Sequence, residues 1–223
     1  MDNLAHEVNL FITREIAWPI RHHLLAPSST AKITTVISHP QALAQCRQYL
    51  SSHYPHAKLQ AADSTAEAAQ LAAASKEGYA AIANLETARL YQLTVRETSI
   101  QDNQHNCTRF VSLSRNPQTP DCHRPAKTSV VCKILGNKPG SLCDILQEFV
   151  NADVNLVRIE SRPARTGLGE YVFFLDMEGS TCQDHVRGAL AAVRKKSLWL
   201  KNLGSYSCYT ISHSSTSDLT KNP

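Results

Sequence analysis

No glycine precedes Gly78. The first third of the chain therefore holds neither a glycine-rich phosphate loop nor a dinucleotide-binding fingerprint, since both need glycine where backbone meets phosphate. No run of about 18 apolar residues exists, which excludes a spanning helix. Met1-Asp2-Asn3-Leu4-Ala5-His6-Glu7 lacks a basic start and an apolar core, so it does not read as a secretory leader. The seven cysteines include no C-x-x-C pair, and neither Cys122-His123 nor His22-His23 has a second half at zinc spacing. No metal site is read from them. An odd, scattered set of cysteines reads as reduced thiols in a cytoplasmic protein. The formal charge is only +4, and the one basic run, Arg194-Lys195-Lys196, suits the negative end of a helix dipole. No nucleic-acid partner is indicated.

What is present is an apolar fraction of 42% over 223 residues, enough for one large core or two small ones. Residues 1–26 read as an irregular entry segment, because Pro19 disfavours both a long helix and a central strand. Ile33-Thr34-Thr35-Val36-Ile37 reads as a buried strand. Ser38-His39-Pro40 then starts a helix, with Ser38 or His39 at the cap and Leu43, Cys46 and Leu50 at helical spacing. Gln41 and Gln45 share a face of it. A short strand near 57–61 follows. Ser64-Thr65-Ala66-Glu67 is a capping box opening an alanine-rich helix. Gly78 ends that helix, and Ala80 to Ala83 is the next strand. A helix near 85–91 and a strand at 93–95 complete a βαβα alternation, which predicts an α/β lobe with a mostly parallel sheet. Ligands of such sheets sit beyond the carboxyl ends of the strands. Ser38 and Ser64 stand there, although simple capping is the commoner role of such serines.

Residues 114–126 carry three prolines and no apolar period, and read as a linker. Beyond them the order is strand (129–135), helix with an apolar stripe Leu142, Ile145, Leu146, Phe149 and Val150, strand (154–159), strand (170–177), helix, strand (199–206). This βαββαβ order is ferredoxin-like. A turn is expected at 165–169 and a disordered polar tail beyond 210. The expected division is 1–113, 114–126, 127–210 and 211–223. Between the two patterns lies Asn106-Cys107-Thr108-Arg109-Phe110: a hydroxyl and a guanidinium side by side, then an apolar anchor. The stretch before it, Ile100 to His105, is almost wholly polar. This suits a loop lining a site, and an ordinary surface loop is the commoner alternative.

Several motifs together resemble a known family. Gly140-Ser141-Leu142 with Leu146 is similar to the G-A-L-x-x-x-L motif of the amino-acid-binding ACT domain, with Ser141 in place of alanine. Asn155-Leu156-Val157-Arg158-Ile159-Glu160-Ser161-Arg162-Pro163 is similar to its N-L-x-x-I-E-S-R-P motif. Ser38-His39-Pro40-Gln41-Ala42-Leu43-Ala44-Gln45-Cys46, Ser64-Thr65-Ala66 and Asn106-x-Thr108-Arg109-Phe110 resemble prephenate dehydratases. The resemblance implies a partial periplasmic-binding-protein-like α/β lobe followed by an ACT domain. It implies decarboxylation and dehydration of prephenate to phenylpyruvate without a cofactor, with L-phenylalanine as effector and a homodimer or homotetramer as the assembly.

Thr108 and Arg109 are the implied catalytic pair. Ser38, Gln41, Gln45, Ser64, Thr65 and Asn106 are the implied substrate contacts. Gly140, Ser141, Leu142, Asn155, Leu156, Glu160, Ser161 and Arg162 are the implied phenylalanine contacts. The family's first-lobe motifs, of G-x-F-S and N-S-x-x-G type, are not found in the sequence, so weak or absent activity is expected of these residues alone. A phenylalanine-binding protein with a remnant, non-catalytic lobe is the alternative.

Overall fold

The computed structural model describes residues 2–75, 78–118, 125–135, 139–164 and 170–210. The expected turn at 165–169, the tail beyond 210 and part of the 114–126 linker lie outside these. The chain forms two compact units, one of Pro19–Thr108 and one of Met1–Trp18 with Arg109–Pro223.

Contrary to the expected irregular entry, the first residues hold a short helix α1 (Asp2–His6) and a nine-residue strand β1 (Phe11–Pro19). Pro19 is the last residue of β1, where its missing N–H interrupts no ladder. In the unit Pro19–Thr108 follow β2 (His23–Ala26), β3 (Thr35–Ser38), α2 (Pro40–Gln45), α3 (Arg47–His53), β4 (Lys58–Ala61), α4 (Thr65–Ala74), β5 (Tyr79–Ala83), α5 (Leu85–Leu90) and β6 (Thr94–Glu97). The sheet order is β4-β3-β5-β2-β6. β3 pairs in parallel with β4 and β5, whereas β2 runs antiparallel to both β5 and β6. The four strands expected from the βαβα pattern therefore do run one way, and β2 is an unforeseen antiparallel insertion among them.

Both faces of this sheet are covered. Leu24, Val36, Ala80 and Ile82 meet Ala42, Cys46 and Leu50 on one side. Leu25, Ile37, Ala81 and Ala83 meet Ala68, Ala69 and Ala72 on the other. Successive strand residues point to opposite faces, so a sheet buried twice needs continuous apolar runs, as at Leu24-Leu25 and Ala80 to Ala83. The alanines of α4 let that helix lie close. Gly78, with φ +77°, leads into β5, and a Cβ there would fall 2.4 Å from Thr34 Oγ1. The helix expected to run through Leu43, Cys46 and Leu50 is divided at Cys46, whose φ of −115° leaves the helical region.

The other unit adds β7 (Cys107–Ser114, its first two residues belonging to Pro19–Thr108), β8 (Ala126–Ile134), α6 (Ser141–Asn151), β9 (Leu156–Pro163), β10 (Tyr171–Glu178), α7 (Asp184–Lys195) and β11 (Ser197–Thr210). The βαββαβ order is as expected, but the sheet has six strands, ordered β7-β1-β11-β8-β10-β9. β1 lies parallel to β11 and covers an edge that the four-strand expectation left open. α6 and α7 cover one face through Ile145, Phe149, Val186 and Val193 over Val130, Cys132, Leu175 and Met177. On the other face Val131, Phe174, Leu203 and Tyr206 meet Ile12. Residues 107–110, expected in a loop, begin a strand, and Phe110 is 54% exposed rather than an anchor. Cys182 is disulfide-bonded, which departs from the expectation of thiols only; Cys46, Cys107, Cys132, Cys143 and Cys208 are free.

Candidate active site

The unit Pro19–Thr108 contains a cleft of about 480 Å³ at the carboxyl ends of β3 and β4, where the open sheet feeds the starts of α2 and α4. It is lined by Gln41, Gln45, Ser64, Thr65, Asn106 and Thr108, together with Ile20, His22, His39, Ala42, Asp63 and Cys107. Six side chains read from sequence thus converge on one hollow. Among the described residues no lysine or arginine lines it, so an anion there meets neutral donors, imidazoles and the N-terminus of the ten-residue helix α4, with the Asp63 carboxylate also in the wall.

Each position has a local cause. His39 caps α2, its Nδ1 accepting from the Gln41 N–H at 3.2 Å. Ser64 Oγ accepts from the Glu67 N–H at 3.0 Å, and Glu67 Oε2 accepts from the Asp63 N–H at 2.7 Å. The capping box therefore closes one residue earlier than usual, and the Ser64 O–H still has its proton to donate. Asn106 is tied by the Ile20 N–H, which donates to its carbonyl at 2.9 Å.

Three expectations need correction. Ser38 does not line the cleft; it is fully buried and donates to the Ile82 carbonyl at 2.7 Å. The polar run before Asn106 braces the site instead of lining it. Gln101, 2% exposed, accepts from the His22 N–H at 3.0 Å, and the Asp102 carboxylate caps α3 through the Gln48 and Tyr49 N–H groups at 3.1 and 3.2 Å. Arg109, next to Thr108, points elsewhere. In its own unit Nε meets Glu15 Oε2 at 2.5 Å, Nη1 meets Asp176 Oδ2 at 3.1 Å, and Nη2 donates to the Tyr206 hydroxyl at 2.7 Å. Lys127 completes the cluster at 2.6 Å from Glu15 Oε1. Burial alone raises the Glu15 carboxyl, but hydrogen bonds from Lys127 and Arg109 outweigh it and hold the carboxyl below its usual range. His22, His39, Asp63 and Cys107 were not foreseen in the cleft; the only sequence signal was their closeness to strand ends.

The implied phenylalanine residues form no single site within the chain. Gly140, with φ +90°, caps α6, which Ser141 and Leu142 open on the helix-covered face. Glu160 pairs across the ladder with Phe174, whose side chain faces the opposite core. There Glu160 binds Arg162 Nε at 2.5 Å and also Arg158, and Arg158 reaches Asp176 at 3.4 Å. Asn155 accepts the Glu178 N–H on its carbonyl at 2.9 Å, Leu156 opens β9 beside the helix-side core, and Ser161 is exposed.

Residues 1–118 match the family model described as prephenate dehydratase, and residues 128–195 match that of the ACT domain. The chain belongs to the prephenate dehydratase family. It is 37% identical over 206 residues to a prephenate dehydratase of Methanocaldococcus jannaschii, covering 92% of this chain and 74% of the relative. It is 39% identical over 204 residues to a bifunctional chorismate mutase/prephenate dehydratase of Pseudomonas aeruginosa, covering 90% of this chain and 54% of the relative. Among solved structures, a prephenate dehydratase of Arthrobacter aurescens in complex with L-Phe superposes with a TM-score of 0.80 at 36% identity, covering 92% of this chain and 69% of that one. Membership of the prephenate dehydratase family makes the chain a lyase with a mixed α/β fold and an ACT domain. Among the described residues no helix is long and apolar enough to cross a membrane.

Proposed function

We propose that the cleft binds prephenate and that Thr108 assists its conversion to phenylpyruvate. Prephenate is a dianion with a ring hydroxyl. Breaking the bond to the ring carboxylate releases carbon dioxide. The electron pair aromatises the ring and expels the hydroxyl, which leaves as water on gaining a proton. Aromatisation supplies the driving force, so the protein has to orient the substrate, balance its charge and stabilise the departing oxygen. The Thr108 hydroxyl is a positioned donor for that oxygen, with Gln45, Ser64, Thr65 and the first N–H groups of α4 as donors to carboxylate. Gln41 and Asn106 complete the wall. The observation that carries this reading is the convergence of these neutral donors on one cleft within a dehydratase-family chain. Arg109 is assigned to holding the sheet, not to substrate. The test is formation of phenylpyruvate from prephenate by the protein and its loss in cleft variants.

The ACT region is assigned L-phenylalanine as effector, bound between two copies of the chain in a cytoplasmic homodimer or homotetramer. The first motif opens α6 on one face of the sheet, whereas Arg158, Glu160 and Arg162 of the second lie on the other, so a site drawing on both of these groups takes one from each copy. Ligand shared by two chains tightens their association. Calorimetry with phenylalanine, alongside sedimentation with and without it, tests this. No heat at millimolar phenylalanine defeats the effector assignment, and binding by a persistent monomer defeats the interface.

A further inference from the structure

We infer that His22 is a positioning residue for the reaction, fixing the orientation of the Gln45 carboxamide; this rests on the proposed use of the cleft. His22 Nε2 lies 2.7 Å from Gln45 Oε1. A carboxamide oxygen only accepts, so with Oε1 against the ring it is Nε2–H that donates. With its oxygen turned to His22, Gln45 is left to offer its NH₂ group to the cleft that both residues line. A free glutamine amide can present either end, and only the NH₂ end suits a carboxylate.

The pair is held from behind by one short stretch. The Ile100 N–H donates to the His22 carbonyl at 2.8 Å, and the His22 N–H donates to Gln101 Oε1 at 3.0 Å. The Asp102 N–H donates to the Gln45 carbonyl at 2.8 Å. Residues 100–102 thus anchor the main chains of both partners, although His22 and Gln45 are 23 positions apart. His22 is 8% exposed, so little water competes for its ring. The buried imidazole acts on substrate through the amide it aims.

Two measurements test this. In turnover of prephenate, His22→Ala is expected to lower kcat/KM by about 10- to 100-fold, the scale of a misaligned contact, with an unfolding midpoint close to the parent's. His22→Gln, whose amide nitrogen can reach the Nε2 position, restores much of it. Gln45→Ala loses at least as much, and the double variant loses no more than Gln45→Ala alone. Losses that multiply in the double variant, or a His22→Ala enzyme at parent efficiency, overturn the inference. Nitrogen NMR of the imidazole, recorded above about pH 8 where such rings are neutral, reads the pair without any turnover. An Nε2–H tautomer in the parent that shifts in Gln45→Ala supports the pairing, and an Nδ1–H tautomer overturns it. With the first-lobe motifs present in the chain, a parent that forms no phenylpyruvate removes the proposed reaction, while the NMR result still decides the pairing.

Discussion

Arg109 Nη1 lies 3.1 Å from Asp176 Oδ2, so the arginine beside Thr108 is engaged by a carboxylate of the ACT sheet and not held free for substrate. Asp176 and Glu15 are each 4% exposed, and Arg109 serves both. Removing one partner of such a cluster leaves a buried charge short of a hydrogen bond. Arg109→Ala is expected to lower unfolding free energy by about 1.5–3 kcal/mol, the range for hydrogen bonds to charged groups. Lys127 and Arg158 remain to limit the damage. Urea unfolding measures it, and a midpoint equal to the parent's contradicts the assignment.

The same cluster sets a pH dependence. Despite burial, its Glu15 carboxyl is held below the ordinary glutamate range by Lys127 and Arg109. A carboxyl with a depressed folded pKa contributes stability above its unfolded pKa and loses it as pH falls through the folded value. Glu15→Gln is therefore less stable than the parent at neutral pH, and the gap narrows as pH falls below about 4.5. Urea midpoints across that range check the sign, and a gap that widens on acidification contradicts it.

The strand–helix order of residues 33–95 was legible because both faces of its sheet are buried. Continuous apolar runs such as Ala80 to Ala83 then alternate with helix starts such as Ser64 and Asn84. β2 was not legible, since four residues between Pro19 and Pro27 carry no period of their own. Nor was β1, whose partner β11 lies far along the chain. Within the cleft, Gln41, Gln45, Ser64, Thr65, Asn106 and Thr108 were readable as a set of motifs. Ser38 and Arg109 carry equally clear motif signals yet face the interior and the sheet. A motif records which residue stands at a position and not where its side chain points.

Proteolysis tests the domain division. Residues 114–126 carry three prolines and no apolar anchor, and offer trypsin Arg115, since Pro125 shields the bond after Arg124. Limited trypsin treatment is expected to cut there first, ahead of any site within the βαββαβ region. First cuts within 130–206, with the linker intact, contradict it.

The phenylalanine assignment predicts separable defects. Glu160→Ala removes a carboxylate that Arg158 and Arg162 share. It is expected to weaken phenylalanine binding while leaving turnover without phenylalanine near the parent rate. Unchanged inhibition in this variant, read by titrating phenylalanine into the prephenate assay, contradicts a role for Glu160.

The central claim is that the Thr108 hydroxyl stabilises the departing oxygen of prephenate. It is tested most directly by phenylpyruvate formation in Thr108→Ala and Thr108→Ser, made in a chain that also carries the first-lobe motifs. A donor that matters mainly in the transition state predicts a fall in kcat of about 10²–10³-fold for alanine, with a much smaller rise in KM. Serine keeps the hydroxyl and should retain far more activity. An alanine variant that forms phenylpyruvate at the parent rate contradicts the account.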